Sequence, residues 1–166
     1  MPYSYHYYKE DIKNHFINNI PKYTKILDVG PGAGIYSDLL TPVGYRLDCL
    51  EIWPPYISEF NLTEKYGNVM IGNIVLYDFN AYDYIILGDV LEHLSVNNAI
   101  DLINNINRQN KKCLVAVPYN FSQGTSNGNV YETHLQPDLT HDRVIQRYGL
   151  KLIYGNDQYG YYINYE

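Results

Sequence analysis

Apolar positions along the chain change period several times, and each change marks an element. Ile12, Phe16 and Ile20 recur every four residues, the spacing of one helix face, and Pro21 closes that segment. Ile26, Leu27 and Val29 form a short β-leaning run. Three glycines at alternate positions follow, Gly30, Gly32 and Gly34, and a helical pattern runs from Ile35 to Leu40, ending near Pro42 and Gly44. Tyr45 to Ile52 reads as a second strand. Pro54-Pro55 opens a helix expected to reach about Tyr66, with Gly67 as its cap. Asn68 to Asn73 is a short third strand, and Tyr82 to Gly88 a fourth whose continuous apolar run suits a buried parallel strand. Ser95 caps a helix whose Ile100, Ile103 and Ile106 should face a sheet. Lys112 to Pro118 is a fifth strand. After a long polar connection, Tyr119 to about Pro137, come a helix from about Leu139 to Tyr148 and two runs, Leu150 to Tyr154 and Tyr159 to Ile163. These last read as a hairpin around Gly155-Asn-Asp157.

Strand, glycine turn and helix at the start is the first βα unit of a doubly wound sheet, and the alternation that follows extends it. A chain of 166 residues fits one domain spanning 1–166. The hydrophobic share is 46%, much of it carried by 20 tyrosines, and charged residues are only 18%, which argues against disorder. Net charge is −6 with no basic cluster beyond Lys111-Lys112, so a nucleic-acid substrate is not expected. Cys49 and Cys113 sit in apolar strands and read as buried thiols of a reducing compartment. The opening Met1-Pro-Tyr-Ser-Tyr-His6 lacks signal-peptide character, and no run is long enough to span a bilayer. The expectation is a soluble cytoplasmic protein.

The glycines permit positive φ and let a ligand lie against bare backbone. Their spacing is G-x-G-x-G rather than the dinucleotide G-x-G-x-x-G, and Asp28 precedes them with a carboxylate that would repel phosphate. Further on, Asp89-Val-Leu-Glu-His-Leu94 follows the fourth strand. Asp28-Val-Gly-Pro-Gly-Ala-Gly34 resembles motif I of the class I S-adenosylmethionine (SAM)-dependent methyltransferases, D/E-x-G-x-G-x-G, at every fixed position, and Asp89 to Leu94 resembles their post-strand-four D-V-L-E-H. The resemblance implies a Rossmann-like, seven-stranded mixed sheet with an antiparallel last strand, helices on both faces, and SAM across the carboxyl ends of the strands, leaving S-adenosylhomocysteine (SAH) as product. It implies cofactor contacts from Asp28, Gly30, Gly32, Gly34, Gly88 and Asp89. Glu51, 23 positions past Asp28, would take the ribose hydroxyls, for which a carboxylate that accepts two hydrogen bonds is suited. Ile52 and Trp53 would flank the adenine, with Asn73 at its amino group and Ile74 beside the ring. The segment 1–21 would form a helical cover, either folding Tyr3 to Tyr8 over the cofactor or packing on the sheet edge.

Methyl transfer from a sulfonium is an in-line displacement, and a hydroxyl acceptor needs a base. The candidates are His134, His93 and Glu132, with Asp89 and His141 behind them; an imidazole titrates near neutrality. His134 is expected to be the base, carried to the acceptor side by the loop 119–137, while His93 braces the turn. A metal-free enzyme is expected. Asp89, Glu92, His93 and His134 are the residues that would hold a cation, in a pattern similar to that of metal-assisted ubiquinone O-methyltransferases and small-RNA 2′-O-methyltransferases. Asn129, Tyr131, Glu132 and His134 resemble the loop of methyltransferases found beside glycan-building enzymes. The function read from this is O-methylation of a small polar or sugar-derived acceptor, such as a glycan or nucleotide-sugar. RNA 2′-O-methylation and a non-catalytic SAM-binding partner subunit are the alternatives.

Overall fold

A computed structural model describes residues 6–166. The expectation for Tyr3 and Tyr5 lies outside these residues. In chain order the elements are α1 (Lys9–Asn19), β1 (Ile26–Val29), α2 (Ile35–Leu40), β2 (Leu47–Glu51), α3 (Pro55–Glu59), α4 (Leu62–Lys65), β3 (Val69–Ile71), β4 (Tyr84–Gly88), α5 (Val96–Arg108), β5 (Lys112–Pro118), α6 (His141–Tyr148), β6 (Lys151–Gly155) and β7 (Tyr159–Ile163). The seven strands form one sheet in the order β3-β2-β1-β4-β5-β7-β6. Pairings from β3 to β5 are parallel, and β7 runs antiparallel to both β5 and β6. This is the Rossmann-like mixed sheet expected, with the last strand reversed.

Strand alternation sorts side chains onto two faces. Leu27 and Val29 of β1, Ile85 and Leu87 of β4, and Cys113, Val115 and Val117 of β5 pack with Leu102, Ile103 and Ile106 of α5 and Val144 of α6. Ile26, Tyr84, Ile86, Leu114 and Ala116 point the other way, onto Ile12 and Phe16 of α1, Leu40 of α2 and Leu62 of α4. The amphipathic first helix is thus a cover on the second face. Its approach is fixed by Tyr45, whose hydroxyl donates to Phe16 O and Ile20 O at 2.6 and 2.7 Å. Before α1, Tyr8 Oη donates to Gly155 O (3.0 Å), and Tyr161 Oη to Tyr7 O (3.1 Å). These two tyrosines pack on the edge hairpin. No helix among the described residues is long and apolar enough to cross a membrane.

Several boundaries differ from the sequence reading. The single helix expected from Pro54 to Tyr66 is two, α3 and α4, broken where Asn61 takes a left-handed conformation (φ 52°). Asparagine tolerates that conformation better than other non-glycine residues. The break turns Leu62 and Tyr66 into the core, which a straight continuation of α3 would not do. β3 covers only Val69–Ile71, and a 3-10 turn, Ile74–Leu76, follows where none was predicted. α6 begins at His141, because Thr140 Oγ1 accepts the Arg143 N–H and caps the helix there. On α5 the fully buried positions are Ala99, Leu102, Ile103 and Ile106, while Ile100 is half-buried. Both cysteines are buried and free.

Candidate active site

After β1 the chain goes outward to β2 and β3, then returns across β1 to β4, so the connections leaving β1 and β4 diverge. A crevice at the carboxyl ends is the consequence. Its floor is the glycine turn. Gly30, Gly32 and Gly34 all have positive φ, 59°, 51° and 81°, which L-residues with side chains rarely adopt. Gly30 N–H donates to Leu50 O at 2.9 Å, tying the turn to β2. Lys65 braces it from outside: Nζ donates to Ala33 O (2.9 Å) and pairs with Asp38 (2.6 Å), and a Cβ on Gly34 would press on the Lys65 side chain. Gly34 therefore caps α2 and faces Lys65, whereas Gly30 and Gly32 line the crevice.

Asp28 lies beneath the turn, only 1% exposed, and is not among the crevice-lining residues. It accepts the Tyr66 hydroxyl at 2.5 Å. Burial pushes its pKa up to about 7, opposed by that hydrogen bond and by the charge of Lys9. Lys9 is itself buried, its ammonium 4.6 Å from the Tyr36 ring centre and 5.4 Å from that of Tyr161. Burial lowers its pKa to about 8 against the pull of Asp89 and Asp28.

The crevice encloses about 280 Å3. Glu51, Ile52, Asn73 and Ile74, the residues expected at the ribose and adenine, line one end. Glu51 closes β2 and is 3% exposed; one carboxylate oxygen accepts Trp53 N–H at 2.7 Å. Burial raises its pKa to about 7 despite backbone hydrogen bonds from Trp53 and Ile52. Asn73 Oδ1 accepts Val75 N–H (3.0 Å) and caps the 3-10 turn. Trp53 is not a lining residue; its ring meets Tyr131 edge-on at 6.4 Å.

At the other end are Gly88, Asp89, His93, Tyr56, Asn129, Tyr131 and Glu132. Asp89 leaves β4 in a left-handed conformation (φ 56°), and Tyr159 Oη donates to its carboxylate at 2.6 Å. Glu132 is buried and accepts from Tyr56 Oη and Gln123 Nε2, each at 3.0 Å. His93 Nδ1 faces Thr133 O (3.3 Å) and His134 Nδ1 faces Phe121 O (2.7 Å). A carbonyl only accepts, so both rings carry the proton on Nδ1 and leave the Nε2 lone pair unprotonated. The rings meet edge to face at 4.7 Å. Burial, then the neighbouring His134, lowers the His93 pKa to about 4, and burial lowers that of His134.

His134 thus stands behind His93 and is not a lining residue. His141 is elsewhere, stacked on Tyr162 with Nδ1 3.1 Å from its hydroxyl. Of the four suggested cation ligands, Glu92, His93 and His134 come together, each offering an atom within 4.8 Å of the others; Asp89 is outside that group. Tyr56, Tyr159 and Lys9 were not anticipated. Tyr56 had a signal, being one residue into the helix after β2, at a strand's carboxyl end. Lys9 had none, since only the packing of α1 brings it under the crevice.

A family model described as a methyltransferase domain matches residues 27–114, just over half the chain. No curated protein is similar enough in sequence to be matched to it. Among solved structures, the chain is similar to the PH0226 protein from Pyrococcus horikoshii OT3, with 13% identity, 96% of this chain and 91% of that one covered, and a TM-score of 0.67. It resembles magnesium protoporphyrin IX methyltransferase from Synechocystis PCC 6803, determined with bound SAH, at 13% identity, 93% and 80% coverage and a TM-score of 0.65. A SAM-dependent methyltransferase from Clostridium acetobutylicum aligns at 9% identity, 94% and 89% coverage and a TM-score of 0.67. These likenesses show the fold; the match that runs from β1 through the glycine turn and Asp89 into β5 shows the family. The chain belongs to the methyltransferase domain family.

Proposed function

We propose that this protein transfers a methyl group from SAM to a hydroxyl of a small, polar acceptor, a glycan or nucleotide-sugar being the expected kind. Bound SAM supplies an electrophilic methyl on a sulfonium. The residues present fit it. The positive-φ glycines leave backbone bare for close approach, Glu51 keeps a second carboxylate oxygen for ribose hydroxyls, and the Asn73 carbonyl has a lone pair beyond the one given to Val75. Asp89, held by Tyr159, closes the floor between the two ends of the crevice.

The observation that carries the acceptor reading is the wall formed by Tyr56, Asn129, Glu132 and His93. It places a phenol, an amide, a carboxylate and a neutral imidazole beyond the glycine turn. Such a set suits hydroxyl groups through hydrogen bonds, with Tyr131 as a ring for stacking. Among the described residues no lysine or arginine lines the crevice, which speaks against a phosphate-rich RNA strand. Proton removal falls to this wall, where Glu132 and His93 reach the cavity directly. Incubation with SAM and a panel of free sugars and nucleotide-sugars, followed by mass spectrometry, should yield SAH together with a methyl ether. Products methylated only on nitrogen or carbon would refute the reading.

A further inference from the structure

Glu92 sits on the 3-10 turn Leu91–His93, directly after the fourth strand's exit, and is 1% exposed. Its Oε2 has no hydrogen-bond partner among the described residues. An unpartnered carboxylate oxygen so deeply buried is costly and calls for an explanation. Two imidazoles stand beside it. His93 and His134 each give the Nδ1 proton to a backbone carbonyl, the outer-shell arrangement that orients histidine toward a metal. The loop that delivers His134 is itself pinned to Glu92, whose carbonyl accepts Leu135 N–H (2.8 Å) and Gln136 N–H (3.0 Å). Three ligand atoms within 4.8 Å of one another thus come from two segments locked together by backbone bonds.

We propose that Glu92, His93 and His134 bind one divalent transition-metal ion, of the zinc or manganese class. Two imidazoles and a carboxylate suit such ions better than magnesium or calcium, which favour all-oxygen sets. Three protein ligands leave a position open. His93 also lines the crevice, which puts the ion beside the acceptor wall. Resting on the O-methylation reading, the ion's role is to take the acceptor oxygen and ease loss of its proton. The hydroxyl proton passes to Glu132. The oxygen forms its bond to the methyl carbon as the carbon–sulfur bond breaks, and the electron pair stays on sulfur in SAH.

The test separates binding from turnover. Chelator-treated protein is titrated by calorimetry with Zn2+ alone and with Mn2+ alone, with SAH binding measured in parallel. One ion per chain is expected, with affinity falling at least tenfold in Glu92→Gln and in His134→Ala while SAH affinity holds. Melting curves establish which variants are folded, and His134→Ala decides the matter if Glu92→Gln is not. Absence of saturable binding of either ion, or binding that both folded variants retain, overturns the site. Metal binding without O-methyl product leaves the site standing and removes the reading of the reaction. Product formation unaffected by chelation, in a chain that binds no ion, does the reverse.

Discussion

At the scale of single residues, Glu51 and Asp28 show how burial converts two similar carboxyls to different work. Glu51 opens onto the crevice with one oxygen committed to Trp53 N–H. Glu51→Ala should weaken SAM binding by about 1–3 kcal/mol, the range for losing hydrogen bonds to a charged group, and calorimetry reads it directly. Asp28 is sealed under the turn, and burial raises its pKa from 3.8 to about 7. The folded chain therefore holds this proton more tightly than the unfolded chain. Its contribution to stability is full below about pH 4 and is lost as pH rises through about 7. Asp28→Asn keeps an acceptor for the Tyr66 hydroxyl and removes the titration. Urea unfolding between pH 5 and 8 should show the parent losing on the order of a few kcal/mol relative to this variant. Parallel slopes for the two proteins would mean that Asp28 does not titrate in this interval.

At the scale of elements, legibility followed how local the determinants were. β5 was readable to the residue because an apolar run is bounded by Lys112 and Pro118. The start of α2 was too, after Gly34, whereas its end was read near Pro42 and Gly44 and the chain instead passes into a 3-10 turn at Thr41. The break between α3 and α4 was not, because nothing local in Phe60-Asn61-Leu62 demands it. It exists so that Leu62 packs on the sheet and Tyr66 reaches Asp28. Replacing Asn61 by valine should cost about 1–2 kcal/mol, since a β-branched residue resists the left-handed region. Asn61→Gly should be close to neutral, and a valine variant as stable as the parent in urea titrations would place the strain elsewhere. The crevice end lined by Gly30, Gly32, Glu51 and Asn73 was legible for a related reason, whereas Asp28, Gly34 and Trp53, expected beside the cofactor, lie outside the lining. These residues each lie at or just past the end of a strand, in regular order along the chain. The far end was not, because Glu132 reaches it through a loop whose path depends on bonds to Glu92 and Gln123, and the same loop leaves His134 behind His93, outside the lining. Asp89 shared a sequence pattern with Glu92 and His93, yet its left-handed backbone sends it to Tyr159.

At the scale of the whole molecule, the sheet's change of direction between β1 and β4 puts both ends of the crevice on one rigid frame. Ligand binding should then report on global stability. Saturating SAH at about 100 times its dissociation constant adds about 2.7 kcal/mol. For a chain of this size that corresponds to a rise of roughly 5–10 °C in Tm. Gly32→Val should remove the rise and, because valine resists the left-handed φ at this position, lower the unliganded Tm by roughly 2–8 °C. Scanning fluorimetry checks both, and a retained shift would show that the ligand does not rest on the glycine turn.

The backbone bonds from Leu135 and Gln136 to Glu92 also govern time. Gln136 adds two more ties, its side chain donating to Leu91 O and Leu94 O at 2.8 and 3.1 Å. Farther out, Gln123 O accepts His134 N–H (2.9 Å), and the tip is a tight turn in which Ser126 and Asn129 pair. A segment built this way has a fixed heel and a free toe. Residues 124–128 lie outside the crevice lining, so the toe can flex with Glu132 and the imidazoles left in place. Amide exchange should therefore divide the segment, protecting Leu135 and Gln136 for far longer than Gly124 to Gly128.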